Sequence, residues 1–427
     1  MNKKKLASFL VFLVTAFLLV ACGGNDSASD NKTGGKETEK EKVELTIATW
    51  ANEQEAKEFD AILEEINASQ DEYTIKQMVI PQDYYTKIQT MIAGNQAPDL
   101  IWLAQEYIPA YAKNGAVLDI TEKLNSQTQI NMDDYLDGSL NTAIYEGKIY
   151  GLPWIGQPYV VYYNKTLFAE NGINEPAEDW TWEDFKETAK ALTKDGIYGF
   201  ATTGNPPLAV WIWGEGGEIV EKDGTVKLTT PETISGLELA KSIILDETMT
   251  MPYQEALSMG VEQAFVNGKV AMMVGGANDD VERKVEEAGG QFEVGMAIMP
   301  RGSKQHVTFN WTASTLISEQ TDHPDVAFQA LLDITEKMFD WKVPAPVASK
   351  VEKIGEINPY KAYAVDIIKK STEISRGFNN LPEQNELGGN QWELLDLPIL
   401  SNNNGKGNVD VKELAELTEE AFKSIIE

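Results

Sequence analysis

The chain has 427 residues, 42% hydrophobic and 24% charged, with 36 Lys and Arg against 67 Asp and Glu for a formal net charge of −31. That balance excludes nucleic acid and anionic lipid surfaces as partners, because both need clustered basic groups to neutralise phosphates, and only Arg283, Arg301 and Arg376 offer the planar fork that grips an anion. A lone cysteine, Cys22, excludes an intramolecular disulfide framework and any Cys-based metal or redox site, and two histidines, His306 and His323, leave little for a zinc site.

Met1 to Lys5 includes three consecutive lysines, and Leu6 to Val20 is an apolar run of about 15 residues, the length of a secretory core and short for a membrane span. The run ends in Leu19-Val20-Ala21-Cys22-Gly23, which resembles the lipobox of a bacterial lipoprotein. That resemblance implies that 1–21 is a signal peptide and that Cys22 becomes the acylated N-terminus, carrying palmitate and a diacylglyceryl group. The alternative is an uncleaved signal anchor. Stable anchoring takes more than one chain, and loss of the three lysines takes the charge from −31 to −34. Residues 22–42 contain no aromatic or branched aliphatic side chain after Cys22, so this stretch reads as a flexible tether with a reach of about 25 Å.

The folded part begins at Val43. Alternation over Val43 to Trp50 predicts a strand, and Phe59, Ile62, Leu63 and Ile66 mark a helix over Glu55 to Asn67. A strand at Tyr73 to Ile80, a helix at Tyr84 to Ala93 and a strand at Leu100 to Leu103 complete a β-α-β-α-β order, which predicts a parallel sheet covered by helices. Ligands are expected at the carboxyl ends of such strands, where Trp50 and Trp102 are placed. Further strands are predicted at Tyr159 to Tyr163, Tyr198 to Ala201, Val270 to Val274 and Val294 to Met299. Helices are predicted at Thr181 to Leu192, Pro231 to Leu245, Gly260 to Phe265, Pro324 to Thr335 and Val409 to Ile426. The fold class is α/β, with room for a second lobe.

Catalytic and cofactor motifs are missing: there is no G-x-S-x-G elbow, P-loop, H-E-x-x-H or dinucleotide fingerprint, and no cofactor or metal is expected. Asn402-Asn403-Asn404-Gly405 lacks the spaced acids of a calcium loop and reads as a turn. The positive signal is ten tryptophans, several in sequence contexts that look like loops. A pyranose offers an apolar C–H face and a rim of hydroxyls, which an aromatic plane and planar amide or carboxylate groups complement. Trp50 is followed by Asn52, Glu53 and Gln54, Trp102 by Gln105 and Glu106, Trp154 by Gln157 and Trp213 by Glu215, while Asn310 precedes Trp311 and Gln391 precedes Trp392. Trp180 and Trp182 belong instead to a core, since Phe185, Ala189 and Leu192 share a helix face with Trp182.

Five segments, LTIATWANEQEAKEFDAILEEIN, PDLIWLAQEYIPAYAKNGAVLDIT, GKIYGLPWIGQPYVVYYNKTLFAENGI, GVEQAFVNGKVAMMVGG and FEVGMAIMPRG, stand in an order and spacing similar to the extracellular solute-binding proteins of ABC importers, in the maltodextrin-binding-protein-like group. The resemblance implies a two-lobed fold of the periplasmic-binding-protein type II class, each lobe a mainly parallel sheet flanked by helices. Chain crossings then fall near 151–156, 309–313 and 345–349. The N-terminal lobe would be 43–152 plus 313–346, and the C-terminal lobe 153–312 plus 347–427. Positions matching the family's cleft are Trp50, Glu53, Gln54, Trp102, Glu106, Gln157, Trp211, Trp213, Asn278, Trp311 and Trp392. Where many relatives carry a tryptophan after AMMVGG, this chain has Ala277-Asn278, so the stacking platforms differ.

These readings imply a monomeric, lipid-anchored, non-enzymatic protein on the outer face of the bacterial cytoplasmic membrane. It would capture a carbohydrate, an oligosaccharide in particular, by hinge closure and hand it to an ABC transporter permease. A polyamine or other cationic solute held by aromatic rings and Glu53, Glu106 or Glu215 is the alternative. A secreted glycosidase is the alternative from another class.

Overall fold

A computed structural model describes residues 42–341 and 346–427. The signal peptide, Cys22, the tether through residue 41 and the start of the third expected crossing lie outside the described residues. Among the described residues no helix is long and apolar enough to cross a membrane.

Eleven strands are present among the described residues: β1 Val43–Thr49, β2 Tyr73–Val79, β3 Leu100–Ala104, β4 Ile144–Tyr145, β5 Lys148–Ile149, β6 Gly151–Asn164, β7 Tyr198–Ala201, β8 Val270–Gly276, β9 Val294–Ala297, β10 Thr308–Ile317 and β11 Ser375–Arg376. β4 and β5 form a small hairpin, and the other nine make one sheet with the path β2-β1-β3-β10-β6-β8-β7, β11 pairing with β10 and β9 with β6. β1 runs parallel to β2 and β3 at one end, and β7 parallel to β8 at the other. Between these parallel blocks the two long strands β6 and β10 run antiparallel to each other, β10 antiparallel to β3 and β6 antiparallel to β8 and β9, while the short β11 pairs parallel with β10.

The expected helices form where spacing placed them. Glu53–Ser69 buries Phe59, Leu63 and Ile66 and starts with a capping box on Asn52, whose side chain accepts from the Gln54 and Glu55 N–H groups while the Glu55 carboxylate takes the Asn52 N–H. Trp182–Leu192 is capped the same way by Thr181 and Asp184, and buries Trp182, Phe185, Ala189 and Leu192. The C-terminal helix Val411–Ile426 packs Val411, Ala415 and Phe422 inward. The Asn402-Asn403-Asn404 stretch is a turn with all three residues at positive φ, a region asparagine tolerates better than most residues.

Two large apolar cores flank the crossing strands. One joins Leu45, Ile47, Phe59, Trp102, Trp154 and Leu331. The other joins Tyr163, Phe168, Trp180, Trp182, Phe185 and Trp211. Trp311, on β10, packs against both. The strand predicted at 159–163 is in fact the last part of β6, which starts at Gly151. The stretch at 309–313 lies within β10.

The topology fixes a meeting place. β1 and β3, parallel to each other, end at Thr49 and Ala104, and Ala104 pairs with Ala313 near the middle of β10. From the other side β8 ends at Gly276, which pairs with Tyr159 of β6. Gln157 of β6 pairs with Trp311 of β10 between these points. Three carboxyl strand ends therefore converge on the centre of the two crossing strands.

Candidate functional site

Trp50 leaves the end of β1 half-buried. Its ring stands 5.4 Å from Trp102, 6.5 Å from Trp154 and 6.5 Å from Trp311, and Tyr84 meets it edge-on at 5.3 Å. Beneath it Trp102, Trp154 and Trp341 form a packed stack, with Trp102 and Trp154 only 4.7 Å apart. Tyr85 lies at 6.2 Å from Trp50 and stacks flat on Tyr107. Trp50 and Trp311 thus keep partial access above a rigid aromatic floor, the arrangement a stacking platform requires.

Polar groups border these rings. Glu106 follows β3, and the packing around its carboxyl raises its pKa. Burial raises the hydroxyls of Tyr85, Tyr107 and Tyr159, and the Glu106 charge raises them further, after that of Asp279 in the case of Tyr159. Across β6, Gln157 Nε2 donates to Asp279 Oδ1 at 3.2 Å, and the Gly276 N–H donates to Asp279 Oδ2 at 2.9 Å. Burial pushes the Asp279 carboxyl up to about 6 despite that backbone bond. A Cβ on Gly276 would stand 1.3 Å from Gln157 Nε2, so a side chain there would push the Gln157 amide away from Asp279. Gln105 is committed to the frame: Nε2 donates to the Asn310 carbonyl and Oε1 accepts from Thr312.

Of the residues expected from sequence, Trp50, Glu106, Gln157, Asn278 and Trp311 come together at this convergence. Gln54 borders it, sharing a groove of about 550 Å³ with Asn52, Asn278, Asp279 and Arg283. Glu53 faces solvent and pairs with Lys57 at 2.8 Å. Trp102, Trp211 and Trp213 are corrections, each only 1% exposed. Trp102 is the third residue of five in β3, not at its end. Trp211 lies in the helix Leu208–Gly214, every residue of which is buried, and packs on Trp182 at 5.1 Å. Trp213 shares that helix. Its ring is covered by the Arg376 guanidinium at 4.3 Å and flanked by Phe309 and Phe378, and its Nε1 donates to Glu218. It supports Arg376 and Phe378 from below. Trp392 is 38% exposed and packs over Gly204 in the loop after β7. Because β7 and β8 are parallel, that loop lies at the same sheet edge as 276–279.

Tyr85, Tyr107, Tyr159, Asp279, Arg376 and Phe378 were not expected. Tyr159 could have been found, since it lies two residues after Gln157 on the same strand face, and Asp279 follows Asn278 directly. Arg376, Phe378, Asn379 and Asn380 line a second groove of about 1130 Å³ opposite Asn141 and Thr142. Asn380 Nδ2 donates to the Ile144 carbonyl at 2.9 Å, which ties the two walls of that groove. Among the described residues no group of three or more His, Cys, Asp or Glu side chains could hold a metal ion. The site offers aromatic faces, amides and two carboxyls of raised pKa, a set suited to gripping a molecule with an apolar face and many hydroxyls.

The family model described as bacterial extracellular solute-binding protein matches residues 47–333. A putative binding protein of Brucella abortus is 26% identical over 70% of this chain and 73% of its own length. The diacetylchitobiose binding protein DasA of Streptomyces coelicolor is 25% identical over 64% of each chain. Among solved structures, an ABC substrate-binding protein of Listeria monocytogenes in complex with cycloalternan superposes with a TM-score of 0.77 at 21% identity, covering 90% of this chain and 99% of that one. The sugar-binding protein MalE of Xanthomonas citri gives 0.76 at 15% identity, over 90% and 97%. The shared fold is two-lobed, mixed α/β, with helices flanking the sheet.

Proposed function

The chain belongs to the family of bacterial extracellular solute-binding proteins, and from that premise we propose that it is the lipid-anchored, monomeric binding component of an ABC importer, carrying an oligosaccharide to the permease. The family is one of binding proteins, and the role proposed is capture and delivery without chemistry on the ligand. The N-terminal lobe is taken as 43–152 plus 313–346 and the C-terminal lobe as 153–312 plus 347–427, with β6 and β10 as the hinge strands. Closure about them would bring Trp50, Glu106 and Gln54 toward Asn278, Asp279 and Trp392. Cys22 is the proposed anchor, which would hold the body at the outer face of the cytoplasmic membrane.

The observation that carries the reading is the pairing of two half-buried rings, Trp50 and Trp311, with the Gln157–Asp279 pair and Glu106 at one convergence of strand ends. Relatives named as binding diacetylchitobiose, galactooligosaccharides, arabinooligosaccharides and maltodextrin support a carbohydrate ligand of more than one ring. A glycan-array screen of residues 23–427 tests it: binding to one class of oligosaccharide is expected, and an array without a hit contradicts it.

A second reading, a cationic solute in an acidic aromatic box, draws on the carboxyl of Glu106 among Tyr85, Tyr107 and Tyr159. Affinity for a neutral sugar should change little between low and high salt, whereas affinity for a cation should fall steeply.

A further inference from the structure

Lys361 lies on the short 3₁₀ helix Pro359–Ala364 and has no exposed surface. A buried ammonium is retained only where every proton finds an acceptor and a counter-charge is near. Here its three protons meet three oxygens: Glu282 Oε2 at 2.6 Å, the Asp279 carbonyl at 2.7 Å and the Tyr162 hydroxyl at 3.0 Å. The Tyr162 hydroxyl passes its own proton to the Gly276 carbonyl at 2.8 Å. Both ends of the 276–279 turn are thereby tied from behind to one ammonium, one directly and one through a phenol. In front, the same turn presents Asp279 Oδ1 to Gln157 and Oδ2 to the Gly276 N–H.

An apolar side chain would fill the volume at no desolvation cost, so the charge serves placement of the turn. We propose that Lys361 is a positioning residue for ligand binding: it fixes the backbone of the 276–279 turn, so that Asp279 and Asn278 stand preset at the cleft. This rests on the carbohydrate-binding reading above, though the hold on the turn itself does not.

Two arms test it on the full chain. Hydrogen exchange of the unliganded protein should show residues 274–282 exchanging faster in Lys361→Met, with β1 and β2 unchanged. Unchanged exchange over 274–282, or a rise spread evenly over the chain, would overturn the proposal. In the second arm, calorimetry uses whichever of maltotriose, diacetylchitobiose, galactotriose or arabinotriose the unsubstituted protein binds. Lys361→Met should raise Kd about tenfold when Asn278 and Asp279 are present and less than about twofold in an Asn278→Ala/Asp279→Ala background. Equal losses in both backgrounds, or none in either, would refute action through the turn. Should Lys361→Met not fold, Tyr162→Phe removes the hydroxyl that takes a proton from Lys361 and bonds the Gly276 and Asp279 carbonyls, leaves the Lys361–Glu282 pair in place, and should give the same local exchange pattern. If the unsubstituted protein takes none of the four sugars, the carbohydrate reading fails, while the exchange arm still decides the role of Lys361.

Discussion

Replacing Asp279 by asparagine keeps the side chain's shape and removes its titration. Burial pushes its carboxyl up to about 6 in the folded protein, against 3.8 for an unperturbed aspartate. Between those two values the folded state holds a proton that the unfolded state has released, so stability falls as the pH rises through that window. At about 1.36 kcal/mol per pH unit the difference amounts to about 3 kcal/mol. Asp396, which burial pushes to about 7 against the pull of its bond from Gln391, adds a fall of its own. The comparison with Asp279→Asn cancels that second contribution, since both proteins carry Asp396. Urea unfolding near pH 4 and near pH 6.5 reads most of the effect: on going to the higher pH, the unsubstituted protein should lose about 2 kcal/mol more than Asp279→Asn. Equal losses in the two proteins would refute the reasoning, because they would mean that the Asp279 carboxyl titrates as it does in water.

Trp50→Ala should weaken oligosaccharide binding by about 1–4 kcal/mol in a calorimetric titration, with little change in melting temperature. Trp211→Ala, emptying a site packed on Trp182, should instead cost about 3–5 kcal/mol of folding stability in urea and leave Kd unchanged. Gly276→Ala places a methyl where Gln157 Nε2 now lies. Since the obstructing atom is the end of a flexible side chain, the fold should survive, and titration should show affinity down about tenfold as Gln157 loses Asp279.

Periodicity was a sound guide where one face of an element is buried. Tyr84–Ala93 and Tyr198–Ala201 form as spacing predicts, and Thr181 caps its helix. It failed where both faces are buried and no alternation survives. β6 is covered on both sides, and its prolines at 153 and 158 disguise it; both lie in the β10 ladder, in pairs with Ser314 and Asn310. Leu208–Gly214 is buried all round, so its two tryptophans looked like loop residues. The site was partly readable for a similar reason. Trp50, Glu106 and Asn278 occur just beyond the ends of β1, β3 and β8, whereas Gln157 stands in the middle of β6, where the family resemblance, not a strand end, marked it. Arg376 and Phe378 reach the groove only through β11, a two-residue strand parallel to β10, which no local pattern announces.

The central claim is capture of an oligosaccharide between Trp50, Trp311 and the Gln157–Asp279 pair. Calorimetric titration of the unsubstituted protein with maltotriose, diacetylchitobiose, galactotriose, arabinotriose and the matching monosaccharides tests it most directly. Saturable binding of one oligosaccharide is expected, with a clear loss of affinity for its monosaccharide, because a single ring stacks on less of the aromatic surface. Equal or tighter binding of the monosaccharide, or no heat with any of the sugars, would contradict it.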